Sequence, residues 1–150
     1  MMFRKLSIAV CVFCAILVVL AGCSEKPYGT PEAALRSYVR AYNESDKQGM
    51  AKCGNDAEMH KILMTTNEDL LGSPVRVSVK DVDFKVLGVN QKPRTTVSNY
   101  YLTEDAWVRA EFRSRDDPKF HKVVTVRLVN RTHSFYMEEP HWQLVPVRGN

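Results

Sequence analysis

The sequence predicts an α+β domain in which helices come first and an antiparallel sheet follows. Two observations predict it. Apolar residues recur at helical spacing from Ala34 to Leu70, and after Pro74 the apolar period changes to two. Turn-forming clusters then separate the period-two runs, as hairpins require. Helices and strands segregated along a chain indicate α+β rather than a parallel sheet. A curved antiparallel sheet wrapped around the helices buries the apolar faces of both.

Each element has its own signal. Thr30-Pro31-Glu32 opens the first helix: Thr30 suits the cap, Pro31 the first helical position and Glu32 the positive end of the helix dipole. Ala34, Leu35, Tyr38, Val39 and Tyr42 form its apolar face, and it stops near Asn43-Glu44-Ser45-Asp46. A short helix over 46–52, capped by Ser45 and closed by Gly54, is expected next. A third begins after Asn55 or Asp56, buries Met59, Ile62, Leu63 and Leu70, and ends at Gly72-Ser73-Pro74. Val75, Val77 and Val79 alternate as a strand, and the phase then slips at Lys80-Asp81 to Val82, Phe84 and Val86, which suggests a bulge or bend. Residues 90–105 read as a loop with brief pairing over 95–101. Strands over 106–115 and 123–129 flank Asp116-Asp117-Pro118-Lys119 and form a hairpin. A turn over 130–134 and a last strand over 142–147 complete the chain.

The amino-terminal residues form a three-part pattern. Arg4 and Lys5 precede an apolar run over 8–20, and small residues Ala21 and Gly22 precede Cys23. This is the layout of a secretory signal, and at 13 residues the run is short against the roughly 20 that span a bilayer. Leu20-Ala21-Gly22-Cys23 resembles the lipobox of bacterial lipoproteins at all four positions. The resemblance implies diacylglycerol (palmitate-type acyl chains) on the Cys23 sulfur and cleavage before it. The expected organisation is a signal peptide over 1–22, a lipidated tether over 23–29 and one domain over 30–150. The expected location is the membrane of the cell envelope. Ser24 after the cysteine implies the periplasmic face of the outer membrane if the cell is Gram-negative.

Composition narrows the partners. The whole chain carries a net charge of +4, and loss of Arg4 and Lys5 leaves +2. So balanced a chain lacks the basic excess that nucleic-acid binding uses. Cys11 and Cys14 leave with the signal and Cys23 is acylated, so Cys53 is the remaining thiol and reads as a buried, inert side chain.

Beyond the lipobox, "TPEAALRSYVRAYNESDKQGM" and "HWQLVPV" resemble the opening helix and closing strand of cystatin-like, nuclear-transport-factor-2-like domains. The match, with the element order, covers roughly residues 28–147, and is nearest to the lipid-anchored bacterial members of that superfamily. The resemblance implies a cone-shaped half-barrel that often holds a pocket. It places Tyr38, Tyr42, Asp81, Phe112 and Trp142 as candidate pocket residues, although the aromatic ones also read as core. Enzymes of the superfamily use an Asp or His in the cone. Here His60, His121, His133, His141, Asp81, Asp83 and Asp105 are available, none in a motif, and Tyr100-Tyr101 read as a rim or partner contact. No metal-ligand spacing, phosphate-cradling glycine loop or nucleophile motif occurs, so no cofactor is expected.

The expected function is a non-enzymatic, lipid-anchored binding or assembly module for a protein partner or a small apolar ligand. The alternative is a small isomerase, cyclase or hydratase with an acid-base residue in the cone. A homodimer through the face of Trp107, Arg109, Glu111 and Arg113 is a further expectation.

Overall fold

The computed structural model describes residues 26–54, 56–68, 72–98, 101–133 and 139–146 of the 150-residue chain. The apolar run and Leu20-Ala21-Gly22-Cys23 lie outside them, as do Leu70, Tyr100, Ser134 and Val147. Helix α1 (Pro31–Asn43) begins where its capping chemistry puts it. Thr30 Oγ1 accepts a hydrogen bond from the Ala33 amide at 3.1 Å, and Pro31 occupies a position that needs no amide partner. Ala34, Leu35 and Tyr38 are fully buried, and each large apolar side chain so buried stabilises the fold by about 1.5–3 kcal/mol. Helix α2 (Lys47–Lys52) is capped one residue later than expected. The Asp46 carboxylate accepts from the Gln48 and Gly49 amides at 3.1 and 3.0 Å, while Ser45 takes the left-handed turn at φ 57°. Gly54 closes α2 at φ 109°.

Helix α3 (Asp56–Ile62) is shorter than its apolar spacing suggests. The chain turns into β1 (Met64–Glu68), which pairs antiparallel with β2 (Pro74–Ser78) from Met64↔Ser78 to Glu68↔Pro74. Two causes act together. Thr65 and Thr66 are β-branched and favour a strand. Lys122 reaches across from the main sheet and donates to the Ile62 carbonyl, left open at the helix end, at 2.9 Å and to the Met64 carbonyl at the start of β1 at 2.7 Å. The alternation of Val75 and Val77 is that of a strand, but on a two-stranded ribbon, so both remain about 40% exposed (42% and 41%). The phase slip at Lys80-Asp81 is a break between two sheets and not a bulge within one strand; Asp81 makes the break at φ 50°.

The main sheet comprises β3 (Val82–Gln91), β4 (Thr95–Ser98), β5 (Tyr101–Ser114), β6 (His121–His133) and β7 (Trp142–Val145), all antiparallel. Its order is β3-β5-β6-β7, with β4 continuing the β3 edge along β5. Residues 90–105, expected as a loop, are therefore mostly strand, interrupted around Pro93. The turn expected over 130–134 is also strand as far as His133, because Asn130 and Thr132 are buried in register opposite Glu104 and Leu102. The sheet's bulge falls between Val86 and Gly88. The β5–β6 turn has the expected chemistry: Ser114 Oγ accepts from the Asp116 and Asp117 amides, and the Phe120 amide closes on the Asp117 carbonyl.

Alternation in β5 decides which face is core. Ala106, Val108, Ala110 and Phe112 are all fully buried, and α1 packs over this face together with Leu128, Trp142 and Leu144. The opposite face carries Trp107, Arg109, Glu111 and Arg113, as their phase requires. On it Arg113 and His121 hydrogen-bond the Glu111 carboxylate at 2.6 and 2.7 Å. Arg113 first, and His121 second, hold that carboxyl below the usual glutamate range. A group depressed in this way adds stability above its unfolded pKa and loses it as pH falls through the folded one. An NMR titration of the Glu111 carboxyl is expected to show the lowered midpoint, and Arg113→Ala to move it back up.

Candidate functional site

The end of α1 meets the β2–β3 connection and holds it from two sides. Tyr42 Oη donates to the Val79 carbonyl at 2.7 Å. Asn43 acts as a strand partner: its Nδ2 donates to the Val82 carbonyl and its Oδ1 accepts from the Val82 amide, both at 2.8 Å. From the sheet, Ser114 Oγ donates to the Lys80 carbonyl at 2.7 Å, and the Arg115 amide donates to the Asp81 carbonyl at 3.1 Å. So many partners hold Asp81 in a conformation that L residues seldom adopt. Asn43→Ala is expected to leave both Val82 groups without their partner. It should lower stability by about 1–2 kcal/mol, read as a lower denaturant midpoint at unchanged slope.

Beside this junction lies an open cleft of about 570 Å³. Tyr42, Met50 and Val79 give it an apolar floor, each buried or half-buried. Lys47 at the start of α2, His60 on α3 and Lys80 and Asp81 after β2 form an exposed polar rim. The rim carries two lysines against one carboxylate, and that carboxylate is also within electrostatic reach of Arg115. Asp83 first, and Asp81 to a smaller degree, raise the Arg115 pKa, with Asp83 gripping the guanidinium at 2.7 and 2.9 Å. An apolar floor below a net positive rim fits a small ligand with an apolar body and an acidic end.

The five candidate pocket residues separate. Tyr42 and Asp81 meet in this cleft. Tyr38, Phe112 and Trp142 are core side chains, at most 2% exposed. Among the histidines, His60 joins the cleft, His121 bonds Glu111 on the outer face, and His141 packs on Tyr28 with ring centroids 4.5 Å apart. The side chains of Tyr101 and His133 lie outside the described residues. Asp83 pairs with Arg115, and Asp105 with Arg127 at 2.9 and 2.6 Å. Cys53 is buried with its thiol directed to the Gly49 carbonyl, and burial pushes its pKa up, away from thiolate chemistry. Among the described residues no group of three or more His, Cys, Asp or Glu could hold a metal ion.

Sequence reasoning missed Asn43, Lys47 and Met50, which come to the cleft through the turn between α1 and α2. It also missed a polar cluster on the core-facing side of the sheet. Glu104 accepts from Asn130 Nδ2 at 2.9 Å and from Arg94 at 3.3 Å, and Asn130 Oδ1 accepts from the His141 amide at 3.0 Å. A signal existed: Glu104 is in phase with Ala106 and Val108, and Asn130 with Val126 and Leu128. Comparison of the chain with protein-family models, with curated proteins and with solved structures gives no match.

Proposed function

We propose that this chain is a lipid-anchored protein of the bacterial cell envelope whose cystatin-like cone domain is a binding module. Its ligand is a small molecule with an apolar body and an acidic end, taken up in the cleft above Tyr42, Met50 and Val79. The observation that carries the anchoring is Leu20-Ala21-Gly22-Cys23 at the end of a short apolar run. What supports the cone is α1 packed on one face of an antiparallel sheet of order β3-β5-β6-β7. The rim supports the ligand class, since Lys47 and Lys80 are placed to meet an acid group while the floor meets hydrocarbon.

The experiment is metabolic labelling with an alkyne analogue of palmitate in a bacterial host, using the full chain and Cys23→Ala. The expected result is label on the wild type and none on the variant. A wild-type chain without label, or a variant labelled equally, contradicts the anchor.

A further inference from the structure

The tether is fastened to the domain almost as soon as the described chain begins. Lys26 pairs with Glu139, and its carbonyl accepts from the Gly29 amide at 3.0 Å. The Pro27 carbonyl accepts from Ser37 Oγ in the middle of α1 at 2.8 Å. The Tyr28 carbonyl accepts from the Trp142 amide at the start of β7 at 3.1 Å. Three residue steps separate Cys23 from Lys26. Even fully extended they span only about 11 Å.

All three fastenings are on one side of the domain. They lie along α1 and at the β7 edge, and α2 also returns there: the Leu144 amide donates to the Cys53 carbonyl at 2.8 Å. The opposite edge is formed by β3 and β4, three strand spacings from β7 or about 14 Å away. Helix α1 runs from one edge towards the other, since Asn43 at its end clamps Val82 of β3.

We infer that the β7 edge of the domain rests on the headgroup surface of the bilayer that carries the lipid, with the β3–β4 edge turned to the aqueous compartment. The inference rests on the lipid anchoring of Cys23. The tether is shorter than the sheet is wide, so the attachment side stays within its reach of the membrane. The chemistry of that side suits a phospholipid surface. Tyr28 is half-buried with its ring against His141, and the exposed His141 Nε2 lies 3.3 Å from the carbonyl of exposed Lys52. Exposed Lys52 on that side adds attraction to anionic lipid. The far edge instead exposes Leu87 and Val89, open to a ligand or protein arriving from water.

The test uses the lipidated full chain in vesicles of phosphatidylcholine and phosphatidylglycerol. A donor dye is attached through Lys52→Cys or, separately, through Asn90→Cys on β3, and an acceptor is carried on lipid headgroups. Buried Cys53 stays out of the labelling in the folded protein. Energy transfer is expected to be several-fold stronger from position 52 than from position 90. A long Gly/Ser insertion between Glu25 and Lys26 is expected to abolish that difference. Equal transfer from the two positions, or the reverse order, with the protein still on the vesicles overturns the inference alone. Protein that does not stay with the vesicles overturns the anchor, and the inference with it.

Discussion

Gly54→Ala is expected to destabilise the domain by about 3–5 kcal/mol, through backbone and not through any lost side chain. Gly54 sits at φ 109°, where an L residue is strained by about 1–3 kcal/mol. A Cβ there would stand 2.5 Å from the Leu144 carbonyl oxygen and 2.8 Å from its amide nitrogen. Both are backbone atoms of β7, so no side chain can swing aside. Relief requires β7 to move away, which breaks the bond from the Leu144 amide to Cys53 and loosens Trp142 and Leu144 in the core. Chemical denaturation checks it; a variant within about 1 kcal/mol of wild type would show that β7 yields freely.

The second large effect is expected from Phe112→Ala. Phe112 is fully buried near the end of β5, its ring centroid 6.0 Å from that of Phe84. Truncating such a ring loses its transfer free energy and leaves a cavity, together about 3–5 kcal/mol. Against a total stability of roughly 5–15 kcal/mol, that consumes much of the margin. The thermal midpoint should fall by on the order of 15 °C. The same change at Trp107, on the outer face of β5, removes stacking with Lys92 and Arg127 at 4.8 and 5.8 Å and should cost much less. Comparable losses at both positions would contradict the assignment of the two faces.

The parts of this fold that were legible are those where local chemistry and burial agree. Thr30-Pro31-Glu32 marks the start of α1, and the alternation from Ala106 to Arg113 marks both faces of β5. The parts that were not legible depend on residues distant in sequence. The apolar spacing beyond Ile62 continues like a helix, but Lys122, far along the chain, takes the Ile62 carbonyl at its end and the Met64 carbonyl at the start of β1. Asn130 reads as a turn residue because its amide favours turns, yet Glu104 and the His141 amide satisfy it within the sheet. The cleft was half legible. Asp81 stood out through the break in phase, and Tyr42 through its place on α1. Lys47 and Met50 carry no pattern of their own, and only the reversal at Ser45 brings them beside Lys80.

Native mass spectrometry of the chain extracted from bacterial membranes tests most directly the proposal of a lipid-anchored domain that binds a small acidic amphiphile. The expected species is a chain beginning at Cys23, heavier than its sequence by a diacylglyceryl group and any further acyl chain. A non-covalent ligand that is lost in Lys47→Glu/Lys80→Glu is expected with it. A chain with an unmodified amino terminus, or a ligand retained unchanged by the double variant, would contradict it.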